Sequence, residues 1–444
     1  MLALLPKRLA AFVASPFFTG SFTYLMGSVL NSLLPLLATP ILTRHLLPED
    51  FGIVGTATAL TQILVIFAGM GAYGLFARSY FDDDPVSLRR LVSTGTWFSL
   101  AVTAALLGIV WIFGELLGHW KAFPASWLPL VIFITFTTVI QNNYLAITQA
   151  RAEPFRYIAI QTIGATVNVG LSLFFVVAWQ MNWQGRLWAL AVAQGLVAAA
   201  CLYGLIRRLG LLTPSFDSAS CRQLMSFGLP LAPHAIGGWI MMMGPRFYLD
   251  HFVSVGETGL YTVAFNLTSP LALLLGSANN ALMPALYKQL SDKEGCNKMR
   301  LCRMFLAVAI ALPLFAIACA AGVRLVLPWI VGERFHAASN YIAWMTLTYA
   351  VQGIYFIFGN FVVYSRRTSL MTWRADFSGG LVLLIACPLL IRLNGPIGAA
   401  QASFVAIAAS TLGCVAAARM AYPMPWGAAL RSLFPTDTGK KAAT

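Results

Sequence analysis

Long apolar runs alternate with short charged segments along almost the whole chain. Because backbone groups left unsatisfied in hydrocarbon are costly, each run that crosses a bilayer should be a helix of about 20 residues. The gaps between charges predict twelve such helices, at residues 18–42, 52–77, 91–113, 127–149, 157–179, 187–206, 224–249, 259–287, 304–323, 338–364, 371–391 and 397–418. The pattern therefore predicts an all-α polytopic membrane protein.

The composition agrees with this class of protein. Of the 444 residues, 59% are hydrophobic and 10% are charged, whereas a soluble domain carries about 25% charged residues. The N-terminal run is uncharged from Leu9 to Thr43, which is longer than the apolar region of about 7–15 residues in a cleavable signal. The seven cysteines show no metal-ligand spacing, and none lies in a segment predicted to be outside, so we expect no disulfide framework.

The eleventh predicted helix is the most irregular one. Between Asp376 and Arg392 it has fifteen uncharged positions, which are too few for the roughly 20 residues of a crossing. We therefore predict that this helix starts earlier and takes Arg374 and Asp376 into the membrane.

The positive charges are distributed unevenly between the two sides. With the N-terminus inside, 22 of the 29 Lys and Arg residues lie in inner segments and 7 lie in outer ones. Cytoplasmic loops carry such an excess of cations. Both termini are therefore predicted to be cytoplasmic, and the net charge of +14 requires no nucleic-acid partner.

A charged motif that follows the first predicted helix returns after the seventh. TRHLLPEDFGIV begins at Thr43, and DHFVSVGETGLY begins at Asp250. A shift of 207 positions aligns the two, and the matched pairs are Arg44 with His251, Asp50 with Glu257, and Gly52 with Gly259. The motif is expected mainly to end one helix and to cap the next, since acidic residues are favoured at a helix N-terminus.

A second match, at a shift of 215, aligns residues 149–165 with 364–380. Together the matches predict a six-plus-six duplication whose halves cross the membrane in the same sense, as in transporters with parallel repeats. The predicted divisions are an N-terminal lobe at 1–206, a cytoplasmic linker at 207–223, a C-terminal lobe at 224–423 and a cytoplasmic tail at 424–444. The two six-helix lobes are expected to surround a central cavity.

Four segments carry a resemblance to a known family: TPILTRHLLPEDFGIVG at 39–55, FGLPLAPHAIGG at 227–238, GETGLYTVAFNL at 256–267 and LNGPIGAAQASFVAIAAS at 393–410. The chain resembles the polysaccharide flippases of the multidrug/oligosaccharidyl-lipid/polysaccharide exporter (MOP) superfamily, which serve O-antigen, capsule or exopolysaccharide synthesis. The resemblance implies about twelve helices in two lobes in the bacterial inner membrane. It also implies that undecaprenyl-diphosphate-linked oligosaccharide repeat units are carried from the cytoplasmic to the periplasmic leaflet by alternating access.

The same resemblance suggests partners and one position of interest. Membrane lipids, a glycan polymerase and other polysaccharide-assembly proteins are the candidate partners beside the lipid-linked oligosaccharide. Many family members place an Asp-Arg pair late in the seventh helix. This chain departs from that pattern, because Pro245 precedes Arg246 and Asp250 follows one turn later.

An anionic diphosphate in a membrane cavity would be recognised by cations. Arg is suited to it because the side chain stays protonated and presents a planar fork, and an Arg inside the membrane costs about 2.5–3.5 kcal/mol on insertion scales. The candidate substrate-binding residues are Arg246, Arg374, Arg44 and Arg78. Structural roles stay open for each of them: snorkelling to headgroups, a local ion pair or the end of a helix.

Uphill export needs an energy source, and no bound cofactor is expected to supply it. Asp250 and Asp376 are the candidate ion-coupling residues, because a desolvated carboxyl can titrate near neutral pH. A proton or sodium gradient is the expected source, although structural pairing of these acids stays open. Seven asparagines could contact sugars or hydrogen-bond between helices: Asn31, Asn142, Asn143, Asn266, Asn279, Asn280 and Asn360.

Two other functions compete with the flippase. A drug or cation antiporter of the same superfamily would use acids inside its lobes, whereas the candidate intramembrane charges here lean positive. A polymerase or ligase would need a substantial outer catalytic region, and every predicted outer segment is short. The acidic run at 82–84 lies in a loop before a helix and has no second acidic cluster, so we predict neither a metal site nor an enzyme.

Overall fold

The computed structural model describes residues 27, 34, 36–82, 84–117, 123–291, 297–365, 367 and 371–433. Most of the first predicted helix therefore lies outside the described residues, and 36–45 is helical (α1). The later helices are α2 (Pro48–Gly69), α3 (Ala72–Ser79), α4 (Pro85–Leu117), α5 (Leu128–Ala150), α6 (Pro154–Leu173), α7 (Trp183–Tyr203), α8 (Ser218–Phe252), α9 (Val255–Ser291), α10 (Lys298–Ile330), α11 (Ser339–Tyr364), α12 (Ser378–Asn394), α13 (Gly398–Ala421) and α14 (Trp426–Leu433).

The helices confirm the predicted fold class of an all-α polytopic membrane protein. Within the described residues, nine stretches are long and apolar enough to cross a membrane, and the last of them, Trp373–Ala421, contains both α12 and α13. The more polar α8 is not among these stretches, and three prolines lie inside it. Each predicted helix from 91–113 onward falls on one described helix.

The prediction of one continuous helix over 52–77 is wrong. The chain leaves the α-helical region at Met70 and Gly71, where φ is 43° and 67°, and α2 and α3 are separated there. The Met70 N–H still donates to Ile66 O at 3.0 Å, so the last turn of α2 is closed before the break. A Cβ on Gly228 of α8 would meet the Met70 carbonyl, which shows that α8 packs against the backbone of this break.

The prediction of an early start to the eleventh helix is confirmed. Thr372–Phe377 forms a π-helical turn that leads directly into α12, and it carries both Arg374 and Asp376. Turns of this kind are frequent at functional sites.

The helices group into two compact units, which are Met1–Pro270 with Leu327–Ala338, and Leu271–Val326 with Ser339–Thr444. In the first unit a core of fully buried side chains, among them Phe76 and Leu205, joins helices α3 to α8. In the second unit Phe361, Cys414 and Trp426 belong to the corresponding core of α11, α13 and α14. The lobe division at 207–223 stays a prediction.

The repeated charged motif caps helices, as expected. The Asp50 carboxylate accepts hydrogen bonds from the N–H of Leu47 at 2.8 Å and from the N–H of Trp183 at 3.3 Å. In the second copy the Glu257 N–H donates to Ser254 Oγ at 3.2 Å. Both copies therefore fix the start of the helix that follows them.

The two copies also touch each other, through their glycines. A Cβ on Gly52 would meet the Val255 carbonyl oxygen, and a Cβ on Gly259 would meet the Pro48 carbonyl oxygen. The shift of 207 that relates Gly52 to Gly259 also relates Pro48 to Val255, so one contact is made twice. Small residues allow this close backbone approach of α2 and α9.

Candidate functional site

Arg246 is buried in the first unit, with 3% of its surface exposed. It lies on α8 directly after Pro245, which has no N–H to donate to the preceding turn. Its Nη1 donates to Met242 O at 3.2 Å and lies 3.0 Å from Met243 Sδ, and its Nε lies 3.4 Å from Thr262 Oγ1 on α9. These contacts hold the guanidinium between α8 and α9.

Two aromatic rings of α9 complete the surroundings of this guanidinium. The Arg246 Cζ is 4.5 Å from the centre of the Phe265 ring and 5.5 Å from that of Tyr261. Such cation–π contacts contribute about 2 kcal/mol when they are desolvated. These contacts therefore stabilise a buried cation at a fixed position, where an anion could bind to it.

Asp250 lies one turn after Arg246 on the same helix. Its Oδ2 accepts a 2.8 Å hydrogen bond from Thr56 Oγ1 on α2, and Thr56 is fully buried. Its Oδ1 is buried and has no hydrogen-bond partner among the residues that the structure describes. Arg246 and Asp250 therefore lie on one helix, where α2, α8 and α9 meet.

The structure places the other predicted cations at exposed helix ends. Arg44 is exposed at the end of α1, with Nη2 at 3.4 Å from Trp329 O. Arg78 is exposed in the last turn of α3.

The remaining two candidate residues belong to the second unit. Arg374 is exposed in the π-helical turn, whereas Asp376 is 4% exposed and accepts a 2.9 Å hydrogen bond from Tyr355 Oη. Although they are only two positions apart, the two side chains therefore have different surroundings.

A polar cluster around Arg186 was not predicted, because the charge spacing put this residue in an outer segment. Helix α7 starts at Trp183, before the predicted start at 187, and includes this residue. Its Nη1 donates to Asn168 Oδ1 at 2.6 Å and to Ser172 Oγ at 2.5 Å, and both acceptors lie on α6. The i, i+4 spacing of Asn168 and Ser172 is the signal that could have found it, because it puts both on one helix face.

A cavity of about 490 Å³ lies within the first unit, beside the break between α2 and α3. Its walls come from α2, α3, α5, α6 and α8, and none of its described lining residues is charged. The polar groups are amides and phenols, contributed by Tyr73, Asn142, Asn143, Gln149, Tyr157 and Gln161. Two of the seven asparagines proposed for sugar contact, Asn142 and Asn143, therefore line one cavity, while Asn31 lies outside the described residues.

A sequence model of the family described as "Polysaccharide biosynthesis protein" matches residues 41–340. The chain belongs to this family. The matched residues run from α2 to α10 and include both the Arg246 site and the neutral cavity.

The chain is also similar to two relatives and to one solved structure. This polysaccharide biosynthesis protein is 25% identical to an uncharacterized membrane protein of Haemophilus influenzae, over 78% of this chain and 84% of that protein. It is 23% identical to the succinoglycan biosynthesis transport protein ExoT of Rhizobium meliloti, over 59% of this chain and 52% of ExoT. Its fold is similar to the inward-facing conformation of a multidrug resistance MATE family transporter of the MOP superfamily, with a TM-score of 0.66 and 14% identity, covering 93% of this chain and 99% of the other.

The family match confirms the part of the resemblance that concerns polysaccharide biosynthesis. The low identity to the MATE transporter makes that likeness evidence for the fold alone, whereas the family match concerns polysaccharide biosynthesis. The chain is thus a multi-pass membrane protein of a polysaccharide biosynthesis family.

Proposed function

We propose that this protein moves an oligosaccharide linked to undecaprenyl diphosphate from the cytoplasmic to the periplasmic leaflet of the bacterial inner membrane, by alternating access. The observation that carries the proposal is Arg246, a guanidinium buried inside a membrane fold of the polysaccharide biosynthesis family. The lipid tail stays in the bilayer, while the diphosphate and the glycan need a polar path through the protein.

The chemistry of Arg246 suits a diphosphate. Its side chain stays protonated even when buried, and its fork matches phosphate oxygens. Its contacts to Thr262 at 3.4 Å and to the Met243 sulfur are weak ones. A phosphate oxygen would replace them with charge-assisted hydrogen bonds, which are shorter and about twice as strong as neutral ones.

Asp250 is the group that we propose for coupling. Its Oδ1 is buried without a hydrogen-bond partner in the described part of the chain, so it can take up a proton or a sodium ion. Since it lies one turn from Arg246, its charge state acts on the proposed phosphate site. A proton or sodium gradient would then supply the energy for transport.

The other candidate residues keep secondary roles in this proposal. Arg44, Arg78 and Arg374 are exposed cations that could guide the diphosphate, and Asp376 is a second acid for coupling. Membrane lipids, a glycan polymerase and other assembly proteins are the partners that such a role requires.

The test uses the host strain with the gene deleted. The deletion should trap lipid-linked repeat units on the inner leaflet, and the wild-type gene should restore surface glycan. A charge-assisted hydrogen bond contributes about 1.5–3 kcal/mol, so Arg246→Ala should weaken binding by about 10- to 150-fold, and Arg246→Lys should keep part of the transport.

Arg419→Ala is the matched control, because that side chain is exposed at the end of α13. Normal surface glycan from Arg246→Ala, at wild-type protein level in the membrane, would refute the assignment of that residue. Unchanged glycan together with increased drug sensitivity in the deletion strain would favour a drug exporter, which the MATE-like fold makes the second candidate.

A further inference from the structure

We propose that the neutral cavity of the first unit binds an uncharged sugar residue of the transported glycan, with the Asn143 amide donating a hydrogen bond to it. The proposal rests on the proposed function, because the lipid-linked glycan is the ligand. It adds a second binding site, separate from the diphosphate site at Arg246, and states which chemistry that site selects.

Asn143 points to a ligand because its donor is buried and unused. The residue is 1% exposed, and its Nδ2 has no hydrogen-bond partner among the described residues. Burying an amide donor without an acceptor is costly, and native structures rarely keep one without a reason. The side chain lines the cavity, so an acceptor that enters it can satisfy the donor.

The rest of the lining has the chemistry of a sugar site. The amides of Asn142, Gln149 and Gln161 offer both donors and acceptors, which hydroxyl groups can match. Tyr73 and Tyr157 supply aromatic rings with a polar end. A volume of about 490 Å³ lies inside the range of roughly 300–1,000 Å³ typical of ligand pockets.

The neutral, polar character of the described lining disfavours the charged groups and the polyprenyl tail of the substrate. A phosphate or carboxylate placed there would be desolvated without a cation, which is strongly unfavourable. The polyprenyl tail would leave the buried amides unpaired. A neutral, hydroxyl-rich residue is the part of the substrate that satisfies both requirements.

The break between α2 and α3 explains why the cavity exists. Met70 and Gly71 turn the chain away from the helix axis, and both residues line the cavity together with Gly69. A straight helix would carry side chains through this position. The left-handed backbone at Gly71, with φ of 67°, requires a residue without Cβ to form at little cost.

The experiment compares two lipids on the purified full-length protein in nanodiscs. One probe is undecaprenyl diphosphate without sugar, and the other is the same lipid carrying the repeat unit extracted from the deletion strain. Asn143→Leu should lower affinity for the sugar-bearing lipid by about tenfold and leave affinity for the bare lipid unchanged. Arg246→Ala should lower affinity for both.

Asn360→Leu is the matched control. Asn360 is also buried, but its Nδ2 donates to Asn279 Oδ1 at 2.7 Å, inside the second unit. Its loss should lower the melting temperature, whereas Asn143→Leu should leave the melting temperature unchanged or raise it, because the deleted donor has no partner to lose. Asn142→Leu provides a second variant of the cavity.

The outcomes separate the two proposals. If both cavity variants bind the two lipids as the wild type does, or weaken both equally, the sugar site is wrong while the diphosphate site stands. If the wild type binds neither lipid, or Arg246→Ala changes neither affinity, the proposed function itself fails.

Discussion

The contact between the two copies of the charged motif gives the sharpest stability prediction. Gly259→Ala would place a Cβ against the carbonyl oxygen of Pro48 and 3.1 Å from the backbone N of Gly52. Both neighbours are backbone atoms, so they cannot rotate away as the end of a side chain can. Helices α2 and α9 must move apart to admit one methyl group.

The size of the effect follows from two opposing terms. Ala is favoured over Gly in a helix by about 0.5–1 kcal/mol, whereas an extra methyl in a packed contact costs about 1–3 kcal/mol. Because backbone atoms meet the methyl, we expect the upper part of that range and a net loss of about 2 kcal/mol for Gly259→Ala. On the same helix, no atom of the described residues lies within 4 Å of a Cβ at Gly276, so Gly276→Ala should gain about 0.5–1 kcal/mol.

The assay is thermal unfolding of the purified protein in detergent, followed by the fluorescence of its 12 tryptophans. Gly259→Ala should melt a few degrees below the wild type, and Gly276→Ala should melt at or above it. If Gly259→Ala melted as high as Gly276→Ala, the close approach of α2 and α9 would be refuted.

Two further predictions concern single hydrogen bonds. Asp217 caps α8 by accepting from Ser220 Oγ at 2.6 Å and Ser220 N at 2.9 Å, and these bonds hold the pKa of that carboxyl below its usual value. The cap therefore stabilises the protein above the unfolded-state pKa of about 3.9, and this stabilisation is lost as the pH falls through the folded-state pKa. Asp217→Asn should therefore reduce the fall in melting temperature on the acidic side of a pH profile. The same fall in the variant and the wild type would contradict this. Tyr355→Phe removes the 2.9 Å hydrogen bond to the buried carboxylate of Asp376 and should destabilise the protein by about 1–3 kcal/mol. Thermal unfolding measures this loss, and an unchanged melting temperature would show that the bond contributes nothing.

Charge spacing was enough to predict the fold class and several local features. The cost of bare backbone in lipid ties apolar runs to helices, so the order and approximate bounds of most described helices follow from the gaps between charges. The same rule required the eleventh helix to include Arg374 and Asp376, and the π-helical turn does so. The cap that Asp50 makes on the Leu47 N–H was equally readable, because that bond joins neighbouring residues.

Features that depend on contacts between helices were not readable in this way. The break at Met70 and Gly71 lies inside an apolar run, where hydropathy does not change, and α8 packs against it from far along the chain. The sequence offered Arg246 and Arg374 as similar candidates, but one is buried among aromatic rings and the other is exposed. The unused donor of Asn143 depends on which atoms of other helices come near it, and no pattern in one helix reports that.

The paired glycine contact has a consequence for the history of the chain. Two identical six-helix chains facing each other across a twofold axis would make this contact in both directions, as the shared surface of a symmetric pair. In such an ancestor one mutation at the glycine codon would have altered both sides at once. If the predicted duplication produced this chain, fusion of the two copies into one gene separated Gly52 from Gly259, and each glycine can now mutate without changing the other.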